Sequence, residues 1–332
     1  MKFAVVGLGY WGPNLVRNFL SHPKISSVIV CDAREQRLEF AQSKFPGITT
    51  CDNVDAVIQD ASISAVAIAT PVNTHYGLAK KCLEAGKHIW VEKPFTASSE
   101  QAEELIAIAK RENRVIFVDH TFLYTGSVRK MRELLDKGEI GDVLYFDSVR
   151  INLGLFQHDV NVLWDLAPHD LSIMSYLVNK KPYAVSANGI ANFHDMENIA
   201  QLSVYFEDNC FAHFHVNWTS PVKIRRMIMG GTKKMMVFDD MENFEKVKVY
   251  DTGVEINTEE GVHQALVEYR TGDMYSPKIN QTEALGLATS EFVNSINENR
   301  KPLTDGENGL YVVRILETAE KSIKNKGQLI EL

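Results

Sequence analysis

The sequence predicts an α/β protein of two domains. The first is a doubly wound parallel sheet, and the second is an α+β domain built on a large, open, mostly antiparallel sheet. A glycine-rich turn follows the first strand, and strands and helices then alternate up to about residue 120. Beyond it, strand-like segments follow one another with few helices between them. We expect the domains to span residues 1–121 and 122–332.

A glycine motif directly after an apolar run supports the first half of this prediction. Residues 3–6 have the composition of a buried parallel strand and lead into Gly7-x-Gly9-x-x-Gly12. Such glycines permit a tight turn, close approach of a pyrophosphate to the backbone, and tight helix–strand packing. A second apolar run ends on Asp32, twenty residues after Gly12, where an acid would bind the adenosine ribose. The stretch predicts a dinucleotide site, with a purely structural turn as the alternative.

The remaining elements follow from hydrophobic periodicity and turn signals. In the first domain we expect helices at 34–44, 54–59, 75–85 and 100–112, and strands at 65–69, 87–91 and 115–118. In the second we expect helices at 126–137, 168–178, 280–298 and 307–325, and strands at 143–152, 183–190, 199–206, 210–218, 224–230, 233–239 and 246–250. Asp208-Asn209 and Gly230-Gly231 predict turns. Because the later helices are too few to cover an open sheet, we expect a homo-oligomer.

Composition limits the function classes. The net charge of −8 argues against a nucleic-acid or anionic membrane surface. The first strand starts at residue 2, so no signal peptide is expected, and no apolar run approaches the roughly 18 residues that span a bilayer. Four widely spaced cysteines without a CxxC favour reduced thiols over disulfides or a zinc site. These observations predict a cytoplasmic protein with no metal.

Lys93 is the first candidate for chemistry. It follows a predicted strand at the carboxyl edge, where open α/β sheets bind ligands, and Pro94 restricts its backbone. A lysine above a nicotinamide could hydrogen-bond a substrate hydroxyl and stabilise the alkoxide that forms as hydride leaves. A solvated surface lysine before a turn is the alternative.

A second candidate lies in residues 164–170. Asp165 and His169 are four residues apart and would share a helix face. Since proline is tolerated in a first turn, Pro168 predicts that the helix begins nearby, with Asp165 close to the N-cap. Histidine can take the hydroxyl proton near neutral pH, and a carboxylate can orient it. Asp170 points elsewhere and fits a salt bridge. The alternative is a cap with a packed histidine.

Four other histidines are single candidates, each without a recognisable motif around it. His120 ends the last strand of the first domain and could lie near the nicotinamide. His213 and His215 would share one strand face, but no third metal ligand is evident, so they are interpreted as packed or interface residues. His194 is a lone candidate.

Together, GxGxxG, Asp32, Glu92-Lys93-Pro94 and Asp165-x-x-x-His169 resemble the Gfo/Idh/MocA oxidoreductase family. The resemblance covers essentially the whole chain and implies a Rossmann domain, an NAD or NADP cofactor, and oxidation or reduction of one carbon of a sugar or polyol. It implies that Lys93, Asp165 and His169 are catalytic. The predicted cofactor-binding set is Gly7, Gly9, Tyr10, Trp11, Gly12, Asp32, Thr70, Asn73, His75, Glu92, Lys93 and His120. Asp32 would repel a 2′-phosphate and favours NAD, while the nearby Arg34 keeps NADP as an alternative.

Within the family, residues 9–14 and 163–170 look most like members acting on nucleotide-activated amino sugars, such as UDP-N-acetylglucosamine and UDP-N-acetylglucosaminuronate 3-dehydrogenases. A sugar diphosphate needs polar and basic neighbours. The predicted substrate-binding residues are therefore Lys93, Arg150, Asn152, Asp165 and His169. Lys223, Arg225 and Arg226 are a basic cluster for which a solvated or interface strand is the alternative.

These interpretations predict an NAD(P)-dependent sugar dehydrogenase in which His169 takes the hydroxyl proton and Lys93 polarises the oxygen. Its substrate would be a nucleotide-linked amino sugar, oxidised at C3. The alternatives are a dehydrogenase of a free sugar or inositol, a nucleotide-sugar 3-ketoreductase, and a catalytically silent NAD(P)-sensing regulator. The account depends on Lys93 and His169 acting together at the cofactor.

Overall fold

The computed structural model describes residues 1–154, 156–157, 159–193, 195–256 and 267–332. The chain forms two compact units, Met1–Tyr124 with Thr282–Glu317, and Thr125–Gln281 with Thr318–Leu332. The first division lies close to the expected boundary, whereas 282–317, which the sequence placed in the second domain, belongs to the first unit.

The first unit is built on a six-stranded parallel sheet, which confirms the doubly wound prediction. Its strands lie in the order β3-β2-β1-β4-β5-β6, with bounds β1 Lys2–Val6, β2 Ser27–Cys31, β3 Thr49–Cys51, β4 Ile63–Ile68, β5 His88–Val91 and β6 Ile116–Val118. The helices are α1 Gly12–Leu20, α2 Glu35–Lys44, α3 Val54–Gln59, α4 Val72–Glu84, α5 Ser99–Arg111 and, later in the chain, α8 Ala284–Glu298. Helix α9 spans Gly306–Lys324, and its residues up to Glu317 belong to this unit. A 3₁₀ turn, Thr121–Tyr124, follows β6.

An aromatic cluster explains why 282–317 packs with the first unit. The rings of Trp90 and Phe117 stack with centroids 4.1 Å apart. Phe292 of α8 lies 5.7 Å from both Phe3 and Trp90 and is fully buried. Burial of a side chain of this size stabilises the fold by about 2–3 kcal/mol, so α8 completes this core.

The second unit contains a sheet that has nine strands among the described residues. Their order is β14-β13-β12-β11-β7-β10-β9-β8-β15, and β7–β10 is a parallel pair while the other neighbours are antiparallel. The strands are β7 Val143–Leu153, β8 Pro182–Ile190, β9 Ile199–Phe206, β10 Phe211–Asn217, β11 Thr219–Gly231, β12 Met235–Asp239, β13 Val247–Ile256, β14 Val267–Tyr275 and β15 Ile330–Glu331. Helices α6 Gly126–Asp136 and α7 Val162–Val178 also belong to this unit. The predicted large, mostly antiparallel sheet is confirmed.

The start of α7 corrects the sequence interpretation. The helix begins at Val162, where Asn161 Oδ1 accepts the Trp164 N–H at 3.1 Å, and Pro168 lies inside the helix. An interior proline costs about 3 kcal/mol. The first turn buries Val162, Leu163 and Trp164, which offsets that cost. Asp165 is therefore in the first turn, and His169 is one turn further on.

Other differences lie in the strands. Asn209 adopts a positive φ of 58° in the β9–β10 turn, as predicted. In contrast, Gly230 and Gly231 are not a turn: they end β11, with a register shift between them. Strand β14 was missed, and β13 extends beyond 246–250. None of the helices that the structure describes has the length and apolarity that a bilayer-spanning segment requires.

Candidate functional site

The glycine motif forms a turn from the end of β1 into α1, and each glycine has a separate role. Gly7 has a φ of +96°, and a Cβ there would lie 2.5 Å from the Ala69 carbonyl oxygen. A Cβ on Gly12 would overlap the Gly7 carbonyl oxygen. A Cβ on Gly9 would meet no described atom within 4 Å. Gly7 and Gly12 are therefore required by the fold, while Gly9 borders open space beside the start of α1, where a phosphate could lie.

Asp32 directly follows β2 beside this turn and is 7% exposed. Its Oδ2 accepts the Leu8 N–H at 2.8 Å, and its Oδ1 accepts the N–H and Nε of Arg34 at 3.0 Å. Burial acts to raise the pKa of Asp32, but the bonds from Arg34 and Leu8 outweigh it and lower the pKa below its ordinary value. The carboxylate is thus ionised and fixed at the strand end, with an exposed Arg34 side chain beside it.

Trp11, in the glycine turn, is connected to the end of β6. Its Nε1 donates to Asp119 Oδ2 at 2.8 Å, and Asp119 also accepts from the Thr121 hydroxyl. Sequence reasoning missed Asp119, although the rule that selected Asp32, an acid at a strand's carboxyl end, applies to it equally. Tyr10 is 93% exposed beside Trp11.

Glu92 follows β5 and lies next to the Asp119 carboxylate. The residue is partly exposed, but its Oε1 is buried and has no hydrogen-bond partner within the described parts of the chain. Burial, and then the neighbouring Asp119, raise the pKa of Glu92 well above its ordinary value, with Lys93 opposing. The site therefore favours the protonated acid, which can share its proton with Asp119.

His75 joins the ends of β4 and β5. It is 1% exposed, with Nδ1 2.9 Å from the Pro94 carbonyl oxygen and Nε2 2.8 Å from that of Thr70. The Lys93–Pro94 peptide is cis. His75 thus holds the backbone on both sides of the strand ends, while the exposed Asn73 lies in the first turn of α4.

His120 follows Asp119 and is fully buried. Its Nδ1 lies 2.6 Å from Asn308 Oδ1 of α9, and its buried Nε2 has no partner among the residues described. Burial lowers the pKa of His120 to about 4, against smaller effects of Asn308 and Asp119. The imidazole is therefore neutral near pH 7. Asn308 carries no signal in the sequence, because its role depends on the packing of α9.

In the second unit, Asp165 and His169 lie one turn apart on α7, and both are partly exposed. Asp165 Oδ2 accepts the Trp218 Nε1–H at 3.1 Å. Trp218 was missed, because it lies 53 residues away at the end of β10. A ring of Phe156 lies 5.4 Å from Trp218 and 5.8 Å from Phe193, which is 65% exposed.

Arg150 is placed differently from the expectation. It is 3% exposed and donates from Nε to Asp170 Oδ1 at 2.8 Å, while Ser148 donates to Oδ2. Asp170 is thus the salt-bridge residue that the sequence suggested. In the structure this guanidinium is therefore occupied by a buried ion pair with Asp170. Asn152, two residues on, is partly exposed.

The remaining basic and histidine candidates that the structure describes lie on strands of the second unit, where several of them have acidic neighbours. Arg225 and Arg226 form ion pairs with Asp240 and Asp239. His213 lies opposite Asp147 in the β7–β10 pair. The described residues contain no group of three potential ligands that could hold a metal ion. His194 lies outside the described residues.

The first unit fits a dinucleotide on several independent grounds. Gly9 leaves space at the helix start, Asp32 is an ionised acceptor at the β2 end, and Glu92 and His120 present buried polar atoms without partners at the β5 and β6 ends. These residues would hold the pyrophosphate, the adenosine ribose and the nicotinamide portion respectively.

Comparisons with known proteins agree with this arrangement. Residues 1–120 match the model of the oxidoreductase family with an NAD-binding Rossmann fold, and residues 128–237 match the GFO/IDH/MocA C-terminal domain. The chain is 25% identical to a UDP-N-acetylglucosamine 3-dehydrogenase of Acidithiobacillus ferrooxidans over 320 residues, 94% of each chain. It is 22% identical to a myo-inositol 2-dehydrogenase of Thermotoga maritima, covering 98% of this chain and 97% of the other.

Solved structures show the same fold. The structure of the UDP-N-acetylglucosamine 3-dehydrogenase GnnA from Acidithiobacillus ferrooxidans has a TM-score of 0.80 at 24% identity, with 98% of both chains covered. GenD2 from gentamicin A biosynthesis, in complex with NAD, has a TM-score of 0.83 at 22% identity, covering 100% of this chain and 96% of the other.

Proposed function

The chain belongs to the Gfo/Idh/MocA family of NAD-binding oxidoreductases, and on this premise we propose that it oxidises a secondary alcohol of a sugar, at C3 of a nucleotide-linked amino sugar. Two observations, one in each unit, carry the proposal. The first unit holds a dinucleotide cradle, formed by Gly7, Gly9, Gly12 and Asp32, with Lys93 following a strand at the same sheet edge. The second unit holds an Asp-His pair on α7. Lys93, Asp165 and His169 are the proposed catalytic residues.

Each proposed residue has a defined task. NAD bound at the cradle supplies a hydride acceptor. His169 accepts the hydroxyl proton, because an imidazole can act as a base near neutral pH. Lys93 donates a hydrogen bond to the same oxygen and stabilises the negative charge that develops there. Asp165, whose position is fixed by the Trp218 N–H, orients the imidazole or the substrate.

Two observations favour a nucleotide sugar over a free sugar or inositol. The relative that matches 94% of the chain acts on a UDP-sugar. In addition, the rings of Trp218, Phe156 and Phe193 form a series that leads from Asp165 to an exposed face, and such faces can stack on a nucleobase. Inositol, which is the substrate named for another relative, has no base to occupy that face.

The cofactor and assembly are proposed from the same residues. The Asp32 carboxylate would repel a 2′-phosphate, so we propose NAD over NADP, and Arg34 is the residue that a 2′-phosphate would recruit. We also propose a cytoplasmic homodimer or homotetramer, for which the molar mass by light scattering is the test.

The function is tested by following NADH absorbance with UDP-N-acetylhexosamines, their uronates, and free inositol as substrates. We expect turnover with a UDP-amino sugar and NAD, and a 3-keto product by NMR. Preferred turnover of inositol would instead assign a cyclitol dehydrogenase, and reduction of a 3-keto sugar in large excess over oxidation would assign a ketoreductase. NAD binding without turnover of any sugar would contradict the proposal and favour a regulator.

A further inference from the structure

A cavity of about 510 Å³ lies at the edge of the six-stranded sheet where the strands begin. It is bounded by the end of α5, by the segment leading into β6, and by the turn between α8 and α9. The glycine motif, Asp32 and Glu92 are at the opposite edge, where β1, β2 and β5 end. The cavity is therefore separate from the cofactor cradle, and its volume is typical of small-molecule sites.

The lining is basic, although the protein is acidic overall. It contains Lys110, Arg114, Arg300 and Lys301 against Asp305 and Glu307. Arg300 is already engaged by Glu291 at 2.8 Å and by Glu298, and Lys301 lies 3.7 Å from Asp305. For Lys110 and Arg114, the described part of the chain offers no carboxylate within ion-pair distance.

Arg114 shows the clearest sign of a missing partner. Its Nε is buried and has no hydrogen-bond partner among the described residues. Its guanidinium lies near Gly86. Burial, and then the charge of Arg114, lower the pKa of His88 to about 4. A buried donor without an acceptor keeps the full cost of its removal from water, so an acceptor supplied by a ligand would be favoured.

The rest of the lining is suited to a small organic molecule. Ile106, Ala109, Val115, Ile116 and Pro302 provide an apolar wall, and Asn113 and Asn299 provide amides. Lys110 and Arg114, for which the described residues supply no carboxylate partner, match the two charges of a phosphate monoester better than the single charge of a carboxylate. Arginine also presents paired donors that fit phosphate oxygens.

We propose that this cavity binds a small phosphorylated compound, with the phosphate held by Arg114 and Lys110 and the carbon part against the apolar wall. This site does not depend on the sugar substrate proposed above, and no residue of the cofactor cradle takes part in it.

The test is a calorimetric titration of inorganic phosphate into the protein saturated with NAD, at constant ionic strength, so that the pyrophosphate cradle is already occupied. We expect saturable binding at one site, weakened about tenfold by Arg114→Gln and by Lys110→Gln. Lys81→Gln, which removes an exposed ion pair with Asp55 elsewhere on this unit, is the matched control and should bind as wild type. Because Lys110 is exposed, Lys110→Gln should fold normally, and it tests the site even if Arg114→Gln is misfolded.

Amide NMR signals locate the binding. Asn113 and Val115 should shift with phosphate, and acetate should produce smaller shifts at equal concentration. Absence of saturable binding, unchanged affinity in both variants, or equal affinity for acetate and phosphate would each overturn the proposal.

Discussion

The cofactor edge of the first unit and helix α7 of the second differ in how their residues acquire roles. In the first, Gly7, Gly12 and Asp32 are set by a strand, a turn and a helix that follow one another in sequence. In the second, the roles of Asp165 and Asp170 depend on partners from distant strands, Trp218 and Arg150. A local sequence motif is therefore enough to predict the cofactor site. Which of Asp165 and Asp170 has a structural role depends instead on residues that are distant in sequence.

The largest expected effect tests that division between the two acids of α7. Asp170→Asn leaves the Arg150 guanidinium charged and buried, and breaking such a pair destabilises proteins by about 3–5 kcal/mol. Asp165→Asn should lower turnover while leaving the free energy of unfolding in urea close to wild type. The double variant Arg150→Met with Asp170→Leu should recover stability. Equal destabilisation by Asp165→Asn and Asp170→Asn would remove the distinction.

The glycine turn permits a second test within the first unit. Gly9→Ala adds a methyl group to open space, so the melting temperature should be unchanged, whereas NAD should bind about tenfold to a hundredfold more weakly because the methyl group occupies the phosphate position. Gly7→Ala is the contrasting variant, since its Cβ would meet the Ala69 carbonyl and destabilise the fold. Unchanged NAD affinity in Gly9→Ala would place the pyrophosphate elsewhere.

The buried His120 predicts a pH effect on stability. Its pKa is about 4 when folded and 6.5 as the ordinary value, so the unfolded chain binds more protons between these values. The contribution of the neutral His120 to the free energy of unfolding is therefore complete above about pH 6.5 and is lost as the pH falls towards 4. Between pH 7.5 and pH 5 this loss amounts to about 2 kcal/mol. When both proteins are unfolded in urea at pH 7.5 and at pH 5, His120→Gln should lose about 2 kcal/mol less unfolding free energy than the wild type. The same loss in the variant and the wild type would refute it.

The smallest expected effect concerns the exposed ring of Phe193, which packs on Phe156. Phe193→Ala should raise KM for a nucleotide sugar about tenfold with kcat unchanged, because stacking on an aromatic ring contributes about 1–3 kcal/mol per base. Tyr183→Ala, which removes another exposed ring of the second unit, is the control. An unchanged KM in Phe193→Ala would show that the nucleobase of the substrate does not stack on this ring.

The sequence predicted the parallel sheet, the dinucleotide turn and most strands, because these depend on local periodicity and glycine placement. It misplaced the start of α7, since Pro168 was assigned to the first turn, whereas burial of Trp164 stabilises a helix that begins at Val162 and contains the proline. It also missed Asn308, whose contact with His120 depends on a helix that returns to the first unit from the far end of the chain. Long-range packing of this kind leaves no periodic signal.

The central claim is that Lys93 and His169 act on one hydroxyl, and kinetics of single and double variants test it most directly. With the substrate found in the panel and saturating NAD, Lys93→Met and His169→Asn should each lower kcat by about 10²–10⁴, and the double variant should be little slower than the slower single one. Losses that multiply, or a single variant that retains wild-type kcat, would contradict the account.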